Sequence, residues 1–198
     1  MLKRFFDLIL SLIGLLILVP ILFFITILIK ISSSGPVFYK QVRVGKNNKD
    51  FEIFKFRTMH VNADKKGLLT VGGRDPRVTS IGYYLRKFKL DELPQLINVF
   101  KGDMSFVGPR PEVRQFVNIY SEIQKKVLNV KPGITDLASI EFRNENEILS
   151  KEDDPNQYYI DCIMPKKLEI NLKYIAQRNL LKDFTVIIKT IKVIFNII

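Results

Sequence analysis

The sequence predicts an α+β fold, mostly helical, in which an N-terminal membrane helix precedes a small domain built around a β-hairpin. Three features predict it. A charge-free run extends from Leu8 to Ile29, two alternating segments flank a short polar turn after residue 36, and apolar residues at helical spacing dominate the remainder.

The apolar run is of the length, about twenty residues, that a helix needs to cross a hydrocarbon core. A cleaved signal peptide is disfavoured because the small residues Ser32, Ser33, Ser34 and Gly35 come after Lys30. Basic residues lie on both flanks, Lys3 and Arg4 before and Lys30, Lys40 and Arg43 after. Positive charge stays on the cytoplasmic side, so this symmetry suits a helix that enters and leaves by one face. Pro20 supplies the bend, since proline removes a backbone donor and clashes with the preceding turn. The expectation is a re-entrant helix over residues 1–32, broken near Pro20. An ordinary crossing that tolerates a kink at Pro20 is the alternative.

Ser32 to Pro36 reads as a hinge into a domain over residues 33–198. Val37 to Arg43 and Phe51 to Arg57 alternate apolar and polar residues around Gly45-Lys46-Asn47-Asn48, a hairpin pattern. Asn62 to Pro76, rich in Gly, Asp and Lys, reads as a loop. Ile81, Leu85 and Phe88 keep helical spacing, and a second helix is expected to begin at Asp91-Glu92, with Pro94 in its first turn and Gly102 as its stop. Gly108-Pro109-Arg110-Pro111-Glu112 forms a stiff loop before a helix with Val113, Phe116, Val117 and Tyr120 on one face. Lys131-Pro132-Gly133 turns, Asp154-Pro155 starts another helix, and Leu168, Leu172 and Ile175 continue the helical pattern. In the tail, Phe184, Ile187, Ile188, Ile191, Ile194 and Phe195 form a stripe with Lys182, Lys189 and Lys192 outside it. Such a stripe suits either a core helix or an amphipathic helix lying in the membrane interface.

Composition narrows the chemistry. With 31 Lys and Arg against 20 Asp and Glu in 198 residues, the net charge of +11 calls for an anionic neighbour. The charges are dispersed among apolar residues on an anchored chain, which places nucleic acid behind lipid and phosphorylated substrates. Cys162 is the one cysteine and His60 the one histidine, so an internal disulfide, a thiolate zinc site and a multi-histidine centre are excluded. Any metal must take oxygen ligands. Asp91 and Glu92 can serve simply to cap a helix and complement its dipole. Their neighbourhood offers more: Arg86, Lys87 and Lys89 precede them and Arg110 follows between prolines, a set suited to phosphate. Those cations and the dipole are expected to keep both carboxylates ionised. A carboxylate so placed can attack phosphorus or bind magnesium.

Six segments, in order, carry a resemblance: Lys3-Arg4-Phe5-Phe6-Asp7, Ser34-Gly35-Pro36-Val37-Phe38, Phe54-Lys55-Phe56-Arg57-Thr58-Met59, Leu90-Asp91-Glu92-Leu93-Pro94-Gln95-Leu96, the run from Lys101 to Glu112, and Lys131-Pro132-Gly133-Ile134-Thr135. Together they resemble the bacterial sugar transferases called monotopic phosphoglycosyl transferases. The resemblance implies transfer of a phosphosugar from a UDP-sugar to polyprenyl phosphate, with release of UMP, at the cytoplasmic face of the bacterial inner membrane. It implies Asp91 as the nucleophile that carries the phosphosugar, and Mg2+ held by Asp91 and Glu92. Arg86 and Arg110 are implied to bind substrate phosphate, with Lys55 and Arg57 lending positive charge there. After Pro-Gly-Ile-Thr the chain reads Asp136-Leu137-Ala138-Ser139-Ile140-Glu141-Phe142-Arg143-Asn144, where many relatives have a glycine and a later Asn-Gly-Arg. That departure bears on sugar identity, and Arg143 is the residue implied to contact the nucleotide. The partners implied are the UDP-sugar, polyprenyl phosphate and the inner leaflet, without nucleic acid and with a homo-oligomer left open. The rival reading is a non-catalytic, membrane-anchored scaffold in which Asp91-Glu92 is only a cap.

Overall fold

A computed structural model describes residues 2–63, 69 and 75–195. Helix α1 (Leu2–Ser32) leads to a hairpin of β1 (Phe38–Val44) and β2 (Asp50–Phe56), then α2 (Ser80–Lys87) and α3 (Gln95–Lys101). Strand β3 (Ser105–Val107), α4 (Arg114–Val117) and β4 (Gly133–Thr135) follow. The chain closes with α5 (Leu137–Glu141), α6 (Glu145–Leu149), α7 (Pro155–Tyr158), α8 (Met164–Ala176) and α9 (Leu180–Ile194). The α+β, mostly helical expectation therefore holds. Most of the loop expected over Asn62 to Pro76 lies outside the described residues.

Helix α1 is uninterrupted, with Pro20 inside it, which corrects the expectation of a helix broken near that residue. Proline removes one N–H from the ladder, and the apolar residues on either side keep the others. Helix α1 is long and apolar enough to cross a membrane by length and composition, and most of its surface is exposed apolar side chain. Both of its ends engage the same body. At the start, Arg4 donates to the carbonyls of Val99 (2.5 Å) and Phe100 (2.8 Å), while buried Asp7 accepts from Ser105 Oγ (3.0 Å) and Phe106 N (3.1 Å). Toward the end, Ile25 and Ile29 bury against Phe56 and Leu85.

In the hairpin, Phe38 pairs with Phe56, Tyr39 with Lys55 and Val44 with Asp50, antiparallel throughout. Its turn places Asn47 and Asn48 at positive φ (58° and 60°), where asparagine is among the better tolerated residues. Strands β3 and β4 pair in parallel, Ser105 beside Gly133 and Val107 beside Thr135, which brings the Gly108–Glu112 loop next to Asp136. The largest apolar cluster unites Val44, Phe116, Val127, Leu149, Tyr159, Ile163 and Leu168.

Several expected elements are shorter than their patterns. Asp91 and Glu92 sit in a 3₁₀ turn, Leu90–Glu92, ahead of α3, which starts only after Pro94. Pro94 cannot donate inside a helix, so it marks the entry. Helix α4 covers Arg114–Val117 alone, although Val113, Phe116, Val117 and Tyr120 are all buried as expected. Asp154 caps α7 by accepting from Gln157 N at 3.0 Å. Of the α9 stripe, Ile187 packs with Val107 and Tyr174, joined by Val186, which the stripe does not include, while Phe184, Ile188, Ile191 and Phe195 stay exposed.

Candidate functional site

The 3₁₀ turn follows Lys89, which adopts a left-handed φ of 56° and swings the chain so that two acidic residues face inward. Asp91 and Glu92 are only 7 % and 9 % exposed. Burying two adjacent carboxylates is costly unless cations answer them. Glu92 is answered fully. Arg110 grips it with both terminal nitrogens, Nη1 donating to Oε2 at 3.1 Å and Nη2 to Oε1, and Lys55 Nζ donates to Oε1 at 3.2 Å. Asp91 is not: its Oδ1 is buried with no hydrogen-bond partner among the described residues.

The electrostatics diverge accordingly. Burial pushes the Glu92 carboxyl up, but Arg110 and Lys55 outweigh it and hold the group well below the usual range. Asp91 moves the other way, raised by burial and then by the charge of Glu92, with Lys55, Lys89 and Arg86 opposing. The cations outweigh burial at Glu92, as expected, whereas at Asp91 desolvation outweighs them and moves the group upward. The Lys55 ammonium is lowered by its own burial and sustained by Glu92.

Asp91 lines a cleft of about 360 Å³ together with Lys55, Arg57, Arg86, Tyr39 and Arg43. The structure thus brings Asp91, Lys55 and Arg86 to one opening, whereas Glu92 and Arg110 are absent from its lining and connect to it through the Lys55–Glu92 and Arg110–Glu92 ion pairs. Arg57 lines the cleft but spends its guanidinium elsewhere. Nη1 donates to Ser34 O at 2.5 Å and Nη2 to Ser33 O at 2.8 Å and Ser33 Oγ at 2.9 Å, so the contact the structure gives it is with the hinge rather than with a phosphate. Arg143 is exposed in the turn between α5 and α6 and is absent from the cleft lining.

Two positions were not foreseen. Arg43 faces the cleft from β1, donating to Gln41 Oε1 at 2.8 Å and to Glu112 Oε1 at 3.1 Å. Tyr39, Gln41 and Arg43 alternate along the strand, and that period was the signal available for them. Asp136, fully buried, accepts from Arg110 N at 2.7 Å and from Ser139 N at 2.5 Å, tying the proline-flanked loop to the start of α5.

A divalent cation fits these donors in part. Asp91 Oδ1 offers an unclaimed buried oxygen, and Glu92 Oε2, which accepts a single bond, retains a lone pair. No group of three metal-ligating side chains occurs among the described residues, so the remaining ligands would have to come from substrate phosphate and water.

The model of a family described as bacterial sugar transferase matches residues 1–197. The chain is 38% identical over 199 residues to the UDP-glucose:undecaprenyl-phosphate glucose-1-phosphate transferase of Escherichia coli K12, covering 96% of this chain and 39% of that protein. It is 37% identical over 196 residues to the UDP-N-acetylgalactosamine-undecaprenyl-phosphate N-acetylgalactosaminephosphotransferase of Aeromonas hydrophila, covering 97% and 43% respectively. To the exopolysaccharide production protein ExoY of Sinorhizobium fredii it is 33% identical over 204 residues, covering 96% of this chain and 83% of that protein. The chain therefore spans about two fifths of the first two relatives and most of the third. A match that runs from the first residue through the Asp91 cleft to the end of α9 makes the chain a member of the bacterial sugar transferase family.

Proposed function

We propose that the protein transfers a phosphosugar from a UDP-sugar to polyprenyl phosphate through a covalent intermediate on Asp91, initiating assembly of a bacterial glycan. The observation that carries this reading is the unpartnered, buried Oδ1 of Asp91 in a cation-lined cleft, beside a glutamate whose charge is already neutralised. Family membership and the substrates in the names of two relatives support it.

In the first displacement an Asp91 oxygen bonds to the sugar-bearing phosphorus, the bond from that phosphorus to the bridging oxygen breaks, and UMP leaves with the electron pair. In the second, an oxygen of polyprenyl phosphate attacks the same phosphorus and Asp91 is released, yielding polyprenyl-diphosphate sugar. Splitting the transfer means that two anionic substrates never occupy the site together. A carboxylate with a raised pKa is the stronger nucleophile once ionised, and Lys55 and Arg86 offset the charge that phosphate adds. Arg110 holds Glu92 in place and lends its surplus donors to phosphate oxygens. Magnesium bound through Asp91, Glu92 and substrate phosphate would supply further charge neutralisation.

The re-entrant, one-leaflet placement of α1 at the cytoplasmic face is part of the proposal, with residues 1–32 as the membrane element and 33–198 as the catalytic domain. Contact of both α1 ends with one body supports it. The exposed stripe of α9 lies in the interface on this reading.

The test is to incubate the purified chain with a panel of UDP-sugars, undecaprenyl phosphate and Mg2+ and to measure UMP. Release with one sugar, lost on EDTA addition, is the expected result. No UMP from any sugar would favour the scaffold.

A further inference from the structure

Away from the Asp91 cleft, and sharing none of its lining residues, a concavity of about 440 Å³ opens where α1 and α9 begin. Its charged lining is lopsided: Lys3, Arg4, Lys46, Lys131 and Arg178 against Asp7 and Asp183. Both acids are engaged. Asp7 accepts from Ser105 Oγ and Phe106 N, and Asp183 accepts from Lys3 Nζ and Tyr174 Oη. Lys46, Lys131 and Arg178 have no carboxylate partner among the described residues.

Cations outnumber carboxylates here, and Arg4 and Lys131 come close together. A Cβ on Gly102, whose φ is +98°, would sit 3.1 Å from Arg4 Nη2 and 3.3 Å from Lys131 Nζ. Burial, then the proximity of Arg4, with Asp7 opposing and Lys46 adding, leaves the Lys131 ammonium below its ordinary pKa. Such a cluster is stabilised by an anion that enters it.

The concavity continues into a crevice between α1 and α9. The crevice, only about 20 Å³, shares Lys3, Asp7, Val107, Leu180 and Asp183 with it and is closed by apolar side chains, Phe6 and Phe184 among them. Phe6 and Phe184 meet edge to face across it, ring centres 6.2 Å apart. Leu2, Phe5 and Ile9 on α1 and Leu181 and Ile188 on α9 are exposed around it. A cationic pocket beside two apolar-surfaced helices is complementary to an anion carrying a hydrocarbon chain. We propose that this pocket binds the phosphate headgroup of an anionic phospholipid, with its acyl chains lying against the exposed apolar side chains of α1 and α9. The site would fix how deeply the domain sits, and its test needs no transferase activity.

The full chain in uncharged detergent is titrated with dioctanoyl phosphatidylglycerol, dioctanoyl phosphatidylcholine or sodium phosphate while its thermal midpoint is followed. Phosphatidylglycerol should raise the midpoint saturably, and the other two should not. Lys46→Gln with Lys131→Gln should weaken the apparent affinity by about 25-fold, at about fivefold per cation. Lys131→Arg should retain it. The equally charge-depleted pair Lys189→Gln with Lys192→Gln, exposed on α9 outside the pocket, should stay within about twofold of wild type. An equal loss in that pair, or an equal response to phosphatidylcholine, overturns the site. An equal response to phosphate alone overturns its assignment to a lipid.

Discussion

Arg110 and Glu92, the residue next in sequence to Asp91, form a two-pronged ion pair, and Lys55 completes the neutralisation of the glutamate. Breaking a buried pair from one side leaves an uncompensated charge. Glu92→Gln should therefore destabilise the fold by about 2–4 kcal/mol, discounted from a fully buried pair because the Arg110 side chain is 34% exposed. The folded-state pKa of Glu92 is depressed, so its stabilisation is fully present above the ordinary value of 4.5 and is lost as pH falls through the folded value. The gap in thermal midpoint between wild type and variant should be constant near neutrality and close in acid.

Asp91 predicts the opposite sign. Its folded-state pKa is raised, so it favours the fold below the ordinary value of 3.8, and that contribution disappears as pH rises through the folded value. At neutral pH the charge is a burden that Asp91→Asn removes. The variant should show a higher thermal midpoint than wild type, about 2–4 °C per kcal/mol relieved at this chain length, while losing UMP release and any labelled phosphosugar adduct. A variant that is less stable at pH 7 would place the carboxylate in a compensated environment instead.

Much of this arrangement was legible in the sequence because it is written locally. The hairpin follows from alternation and α1 from hydropathy, while the acidic residues ahead of Pro94 point to the first turn of a helix that in fact starts only after that proline. What escaped is set by long-range placement. Nothing in Phe54-Lys55-Phe56-Arg57 distinguishes the lysine that turns to Glu92 from the arginine, just past the end of β2, that turns to Ser33 and Ser34. The same holds for the two carboxylates, adjacent in sequence yet shifted in opposite directions because Arg110 reaches only one.

Asp136 is a positioning residue for Arg110. Its two oxygens accept from the backbone N–H groups of Arg110 and Ser139. Asp136→Ala leaves both donors without that acceptor, at about 1–3 kcal/mol for each that stays buried and unsatisfied. Because Arg110 in turn orients Glu92, kcat should fall further than KM rises, and Asp136→Asn should recover part of the loss. Equal changes in kcat and KM would indicate a merely structural role.

Gly35 permits the strut between the hinge and β2. It adopts φ +120°, and a Cβ there would lie 2.0 Å from Arg57 Nη1. Gly35→Ala should push the guanidinium off Ser33 and Ser34 and loosen the exit of α1. Limited proteolysis should then cut within 32–36 at least severalfold faster than in wild type, and Arg57→Ala should reproduce the effect. Unchanged cleavage in both variants would remove the strut from the account.

The N-terminus and the catalytic domain should lie on one side of the membrane. A straight helix of 31 residues is about 46 Å long, more than enough to clear a hydrocarbon core of about 30 Å. If α1 crossed, one end would have to leave the domain. Yet Arg4 bonds the carbonyls of Val99 and Phe100, Gly14 lies against Leu96, and Ile25 and Ile29 pack with Phe56 and Leu85, so the domain accompanies the helix along its length. Separating either end would break a buried contact and take Lys3 from Asp183. A cysteine placed ahead of Leu2 in a Cys162→Ser background should therefore be labelled by an impermeant thiol reagent only when the cytoplasmic face of sealed vesicles is outward. Labelling from the opposite face would require α1 to abandon those contacts and would end the one-leaflet reading.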